Sequence, residues 1–349
     1  MDDALVTLTA GLEEGRELSG ADVAAAAAEL AGEHAGEEVK ARFLSALSRK
    51  GETSGEIAAF AGAFRALAFD PALGDWAPRS IDIVGTGGDH AGGFNVSSMV
   101  TLVLACAGVP VMKHGNRGVT SKCGSADLFA ALGVSLDPSP AKLREAIAAL
   151  GFVFFFAPSW HPAFRRIGPV RRMLAARGER TVFNVLGPLL NPGRPAHVLL
   201  GAASPPLVEK MADALQALGT SAGLAVHGVI APGRGIDELT TATVNLVRGV
   251  GRLRTVRAEW TPESFGLSPA PFSDIAGGDV DANLSIVAAL ADGGGPRGLA
   301  DTIALNAAAG LWITRARPDV ATAVPEAREL LLGGAVKRKI EQIRAFYAA

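Results

Sequence analysis

The sequence predicts an α/β protein in which a small all-helical domain precedes a larger α/β domain with a mainly parallel central sheet. Three observations carry this reading. Apolar side chains in residues 5–69 recur at three- and four-residue steps, and from residue 80 short apolar strands alternate with helices. The chain is also long enough, at 349 residues of which 49 % are hydrophobic, to exceed what one core ordinarily holds.

In the first segment Val39, Phe43 and Leu47 share one helical face, and Ile57, Phe60, Phe64 and Leu67 share another. Ser19 with Asp22, and Thr53 with Glu56, have the spacing of capping boxes. Asp70-Pro71 stops the helices, and the stretch to Ser80, with Gly74 and Pro78, reads as a linker. The helical domain is therefore placed at residues 1–70 and the α/β domain at 80–349. Strands are predicted at 81–84, 109–112 and 152–156, with helices at 98–107, 125–132 and 140–150; Ser139 caps the last of these and Pro140 occupies its first position. An irregular, Arg- and Pro-rich middle, 161–191, follows. Strands then return at 197–201 and 224–226 around a helix at 206–218, with further helices at 282–291, 300–313 and 326–347, the last open to division at Gly333-Gly334. Such alternation argues a parallel sheet with ligands at the carboxyl ends of its strands.

The formal charge of −2 is spread over 33 basic and 35 acidic residues without long runs of one sign, which speaks against nucleic acid or an anionic membrane as a partner. Cys106 and Cys123 have neither metal-ligand spacing nor a disulfide framework, and Cys106 on an apolar helix reads as a buried thiol. Met1-Asp2-Asp3 lacks the order of a signal peptide, and the apolar run at 147–158 is too short to span a bilayer, so a cytoplasmic protein is expected.

One stretch organises the chemistry. The strand ending at Val84 runs into Gly85-Thr86-Gly87-Gly88-Asp89, where missing Cβ atoms let backbone N–H groups approach an anion. Asn95, Ser97 and Ser98 open the next helix, where unpaired N–H groups and the helix dipole favour phosphate. Neither common nucleotide loop is present, since there is no G-x-x-x-x-G-K-[ST] and the third glycine of G-x-G-x-x-G is missing. Taken with Asn95-Val96-Ser97-Ser98, Lys113-His114-Gly115-Asn116-Arg117, Ser121-Lys122 and Gly235-Ile236-Asp237-Glu238, the glycine stretch closely resembles the anthranilate phosphoribosyltransferase family. The resemblance extends over nearly the whole chain.

It implies that helices within about 165–190 complete the small domain, that the ligand is phosphoribosyl pyrophosphate, and that Mg²⁺ assists the departure of pyrophosphate. Gly85, Gly88, Asp89, Asn95, Val96, Ser97, Ser98, Lys113, His114, Gly115, Asn116, Arg117, Thr120, Ser121 and Ser125 would bind the donor. Ser97, Asp237 and Glu238 would hold the metal, adjacent carboxylates being suited to hydrated Mg²⁺. Gly85, His114, Asn116, His161 and Arg171 would receive anthranilate, Arg171 because a guanidinium offers a planar pair of donors to a carboxylate. The reaction needs no covalent nucleophile, because the aromatic amine attacks directly. A homodimer is expected by analogy. Gly93 and Gly118 depart from the family pattern, each removing a possible phosphate donor. Segments 177–179 and 227–235 look extended, and 240–243 shortened. Competing readings are a pyrimidine nucleoside phosphorylase-like paralogue, disfavoured by the acidic pair and the glycine stretch, and a non-catalytic nucleic-acid-binding paralogue, disfavoured by the near-neutral charge.

Overall fold

The structure, a computed structural model describing residues 4–118 and 122–348, opens with four helices: α1 (Ala4–Glu13), α2 (Gly20–Ala31), α3 (Glu37–Lys50) and α4 (Ser54–Ala66). Both expected capping boxes form. Ser19 Oγ accepts from Asp22 N at 3.2 Å while Asp22 Oδ2 accepts from Ser19 N at 2.9 Å, and Thr53 and Glu56 exchange the equivalent bonds at 3.2 and 2.8 Å. Glu56 also accepts from Leu18 N at 2.9 Å and from Lys50 Nζ at 2.8 Å, so one buried carboxylate ties the start of α4 to the two segments before it.

Eight strands follow: β1 (Ile81–Gly85), β2 (Val111–Gly115), β3 (Phe152–Phe156), β4 (His197–Gly201), β5 (Ala222–Ala231), β6 (Arg234–Ile236), β7 (Asn245–Gly251) and β8 (Arg257–Trp260). They make one sheet in the order β3-β2-β1-β4-β5-β7-β8, with β6 paired to β5. The first five pair in parallel, and β6, β7 and β8 add antiparallel. Strand order reverses between β1 and β4, whose registers end together at Gly85 and Gly201. A crevice opens beyond the strand ends at such a reversal.

Between and after the strands lie α5 (Val96–Cys106), α6 (Ser125–Ala131), α7 (Pro140–Leu150), α8 (Ala157–Trp160), α9 (Ala163–Ala176), α10 (Phe183–Leu186), α11 (Pro205–Ala217), α12 (Val280–Ala291), α13 (Arg297–Ile313), α14 (Val320–Leu332) and α15 (Ala335–Ala348). Side chains alternate between two cores as the period of a strand requires. Ile81, Ile83, Leu199, Leu224 and Val226 join the core built with α5 and α13, whereas Val84, Val198, Leu200 and Ala225 join the one built with α11 and the N-terminal helices. Ile167, Val170 and Leu174 of α9 and Phe183 of α10 belong to this second core. Phe64 of α4 meets Phe164 at 5.8 Å and Phe183 at 5.2 Å between ring centres, so the basic middle of the chain is anchored by aromatic packing.

Several expectations are corrected. The second strand runs from Val111 to Gly115, because its pairing with β3 continues to that point, which makes Lys113 and His114 strand residues. The fifth strand extends over Ala222–Ala231, and β6, β7 and β8 were not expected at all: glycines and arginines break their apolar pattern, and pairing with β5 rather than local propensity holds them. The final helix divides at Gly333-Gly334, as the sequence allowed, with Gly334 at φ 86°, but its first piece, α14, begins earlier than expected, at Val320. Cys123 is the buried thiol, and Cys106, the last residue of α5, is half-buried. No helix among the described residues is long and apolar enough to cross a membrane.

Phe64 is 1 % exposed at the centre of the aromatic cluster. Phe64→Ala should lower unfolding stability by about 3–5 kcal/mol, read as a fall in the urea midpoint with little change in slope.

Candidate functional site

The acidic pair sits on the strand ends. Asp237 directly follows β6, and only glycine admits it there: a Cβ on Gly201 would lie 1.5 Å from the Asp237 carbonyl oxygen, and one on Gly85 would lie 2.2 Å from Asp237 Oδ2. The carboxylate is gripped from the glycine turn, Asp237 Oδ2 accepting from Gly87 N at 2.7 Å, with Gly87 and Gly88 at φ 66° and 77°. Glu238 Oε1 accepts from Ser97 N at 3.2 Å, at the mouth of α5. Asp89 Oδ2 accepts from Asp237 N at 3.4 Å. Three carboxylates therefore converge. Burial first, and then Asp89, push the Asp237 carboxyl well above its usual range, and burial followed by Asp237 does the same for Glu238. A divalent cation relieves such crowding, and the donor set is all oxygen, which suits Mg²⁺. No group of three or more His, Cys, Asp or Glu among the described residues is arranged to hold a metal alone, so an ion here would draw ligands from water and from a bound phosphate.

Beneath this pair lies Lys113, 2 % exposed, its Nζ donating to Ile83 O at 2.5 Å and to Ser97 Oγ at 3.2 Å. Burial lowers its pKa, and Asp82, Glu238 and Asp237 oppose the shift. Asp82, fully enclosed, accepts from Asn191 Nδ2 at 2.8 Å and His114 N at 3.2 Å; burial raises its pKa to about 6. These groups line or underlie a cavity of about 510 Å³ bounded by the glycine turn, Asn95, Ser97, Lys113, Ser125 and the acidic pair.

A second cavity, of about 830 Å³, opens between the sheet and the helical part. His114, His161, Phe164, Arg171, Phe183 and Asn184 contribute to its wall. Arg171 stacks over the Phe183 ring at 5.5 Å, and burial holds its pKa below the usual arginine value. His114 Nδ1 contacts Gly187 O at 3.2 Å, and because a carbonyl only accepts, that contact assigns the proton of the neutral ring to Nδ1; His161 bonds the Leu190 backbone, and the two Nε2 atoms approach to 3.2 Å. Burial depresses both rings, His114 to about 3, aided by His161, and His161 to about 4. The two cavities share Gly85, Gly87, Gly88, His114, Gly115 and Asn116. They are therefore adjoining chambers of one cleft.

Most residues singled out from sequence line this cleft, but four stand apart. Ser98 lines neither chamber; it is fully buried and its Oγ has no hydrogen-bond partner. Arg117 borders only the larger chamber, where it pairs with Asp127 at 2.8 Å. Thr120 and Ser121 lie outside the described residues. Sequence reading also missed contributors. Asp127 accepts from Gly118 N at 3.0 Å and Gly124 N at 2.9 Å, drawing the two ends of this loop together; its place as the N3 acid of α6 was the available signal. Ile275, Gly277 and Gly278 form a further wall of the smaller chamber, and nothing local in their sequence marks them.

The model of a family described as "Glycosyl transferase family, a/b domain" matches residues 77–337. An anthranilate phosphoribosyltransferase of Deinococcus radiodurans is 43% identical over 296 residues, covering 84% of this chain and 84% of its own. Another, from Chloroflexus aggregans, is 41% identical over 337 residues, covering 95% and 94%. The crystal structure of anthranilate phosphoribosyltransferase from Thermus thermophilus superposes with a TM-score of 0.86 at 39% identity, covering 99% of this chain and 100% of that one.

Because the folded-state histidine values lie below the ordinary value of about 6.5, the unfolded chain takes up protons first as pH falls. The histidine contribution to stability is thus full above about pH 6.5 and is lost on acidification toward the folded values. Imidazole ¹⁵N shifts of His114 and His161 should stay those of neutral rings from pH 8 to about 5.5. A titration step near pH 6.5 in either ring would contradict the burial.

Proposed function

Because this chain belongs to the anthranilate phosphoribosyltransferase family, we propose that its two-chambered cleft holds donor and acceptor side by side. The enzyme transfers the 5-phosphoribosyl group from phosphoribosyl pyrophosphate to anthranilate, giving N-(5-phosphoribosyl)anthranilate and pyrophosphate in tryptophan biosynthesis. The observation that carries this assignment to the cleft is its shared wall. A chamber of glycine amides, Ser97, Lys113 and carboxylates suits a polyphosphate with its cation, while the adjoining chamber offers Arg171 and aromatic rings to an aromatic acid, with the two meeting at Gly85 and His114 to Asn116.

In the donor chamber the side chains of Asn95 and Ser97, beside the open glycine turn, would bind phosphate oxygens, and Ser97, Asp237 and Glu238 would hold Mg²⁺. A cation held by these residues would neutralise charge on the departing pyrophosphate. Lys113 lies below the same phosphates, where Asp82, Glu238 and Asp237 oppose the lowering of its pKa by burial. In the acceptor chamber Arg171 takes the anthranilate carboxylate, and His114, neutral near pH 7, sets no charge against the positive charge that develops on the sugar. The amine lone pair forms the new bond to C1 as the C1–oxygen bond breaks, the bonding pair leaves with pyrophosphate, and the amine then loses one proton. Positioning and charge neutralisation supply the rate.

Residues 1–70 are read as the helical domain, completed by helices within 165–190, an assignment supported by the core that α9 and α10 share with α1 to α4. Val6, Leu67 and Phe69, the exposed large apolar side chains among the described residues, support pairing through this part into a homodimer. Light scattering should accordingly give about twice the 35.7 kDa chain mass. The setting is the cytoplasm.

Mixing the protein with phosphoribosyl pyrophosphate, Mg²⁺ and anthranilate should make anthranilate fluorescence fall with time. Asp237→Ala and Glu238→Ala should each reduce kcat/KM by about 10²–10³-fold. Arg171→Ala should raise the anthranilate KM by roughly 10- to 100-fold, the loss of a charged hydrogen-bond donor. Wild-type protein that binds phosphoribosyl pyrophosphate but leaves the fluorescence constant would assign the cleft to another acceptor.

A further inference from the structure

We infer that Asn283, near the start of α12 and outside the lining of both chambers, is a positioning residue that fixes which way the Asn95 carboxamide faces in the donor chamber. The inference rests on the reading of that chamber as the phosphoribosyl pyrophosphate site. Asn283 is 1 % exposed, and its Oδ1 accepts from Gly278 N at 2.8 Å. Its Nδ2 donates to Asn95 Oδ1 at 2.9 Å, and its side chain also bonds the Cys123 thiol. Asn95 Nδ2 in turn donates to Cys123 O at 3.0 Å.

The chain of bonds has only one direction. A backbone N–H at Gly278 can only donate and a carbonyl at Cys123 can only accept, so the two ends determine the orientation of both carboxamides between them. Asn95 opens α5, yet its side chain makes no capping bond; it is committed to this chain instead. With Oδ1 engaged by Asn283 and one N–H by Cys123, the group Asn95 retains for a ligand is its second N–H, a donor suited to a phosphate oxygen. Without Asn283 the amide is free to turn and offer its oxygen, which repels an anion. The three linked segments are also three walls of one chamber, since Gly278, Asn95 and Cys123 all line it. Two backbone bonds run parallel to the carboxamides, Phe94 N to Ile275 O at 2.8 Å and Gly277 N to Gly92 O at 2.9 Å, but these fix the loop and leave the side-chain direction open.

The discriminating variant is Asn283→Asp, which has the same shape and still accepts from Gly278 N but has no hydrogen for Asn95 Oδ1. It should raise the KM for phosphoribosyl pyrophosphate about tenfold, the effect of one hydrogen bond, while kcat and the anthranilate KM stay within about twofold. Calorimetric titration of phosphoribosyl pyrophosphate and Mg²⁺ without anthranilate should show the same loss, a readout that a purely structural role would not move. A folded Asn283→Asp protein with donor KM and affinity within about twofold of wild type would overturn the inference. Should the variant not fold, hydrogen exchange on wild type decides: donor binding should protect 275–283 together with 92–97 and 122–125, and unchanged exchange in 275–283 would overturn it. Wild-type protein that does not bind phosphoribosyl pyrophosphate would instead bring down the underlying functional reading.

Discussion

The close seat of Asp237 on the ends of β1 and β4 is the constraint on which the cleft depends. Two glycines make it possible, and a methyl group at either would collide with Asp237. From that contact follow the grip of Gly87 N on the carboxylate, the reach of Glu238 to the α5 mouth, and the lower edge of the donor chamber. The acidic segment is held from behind as well. Asn306 of α13 accepts from Leu239 N at 3.1 Å and donates to Leu239 O at 2.8 Å, a two-bond clamp fully buried one residue beyond Glu238. A loop carrying two carboxylates thus behaves as part of the sheet.

Charge under the donor chamber is arranged so that burial and binding oppose one another. Lys113 is enclosed among carbonyl, hydroxyl and carboxylate oxygens, and Asp82 is satisfied by Asn191 and the His114 amide. Each group alone would be costly to bury, and their proximity offsets part of that cost. Burial first, and then the neighbouring carboxylates, elevate the proton affinity of the carboxyls above them. A cation and a phosphate bound together would complete the electrostatics of such a site.

Much of this was legible in the sequence where the signal was local. The capping boxes, the β1 glycine turn and the strand-helix rhythm are short-range patterns, and the structure forms them where the spacing places them. What could not be read depended on distant partners. β7 is held by β5 and hides its strand character behind Arg248, Gly249 and Gly251, and β8 depends in turn on β7. The third wall of the donor chamber, Ile275 to Gly278, comes from a glycine-containing connection whose role exists only because it packs against Gly92 to Phe94. Gly93, noted for the hydroxyl it lacks, bridges to Ala276 at that contact. Ser98 shows the converse: a motif position that looks like a ligand is turned into the core by the pitch of α5.

The wall common to both chambers also bears on how such an enzyme can change over evolutionary time. With donor and acceptor seated as proposed, a substitution at His114 or Asn116, which line both chambers, would be felt by both, so a gain toward a new acceptor there would be penalised through the donor. Phe164, Arg171 and Phe183 border the acceptor chamber alone. On that assignment acceptor preference would be free to drift through the helical side of the cleft, while the sheet side would stay locked to a single sugar phosphate.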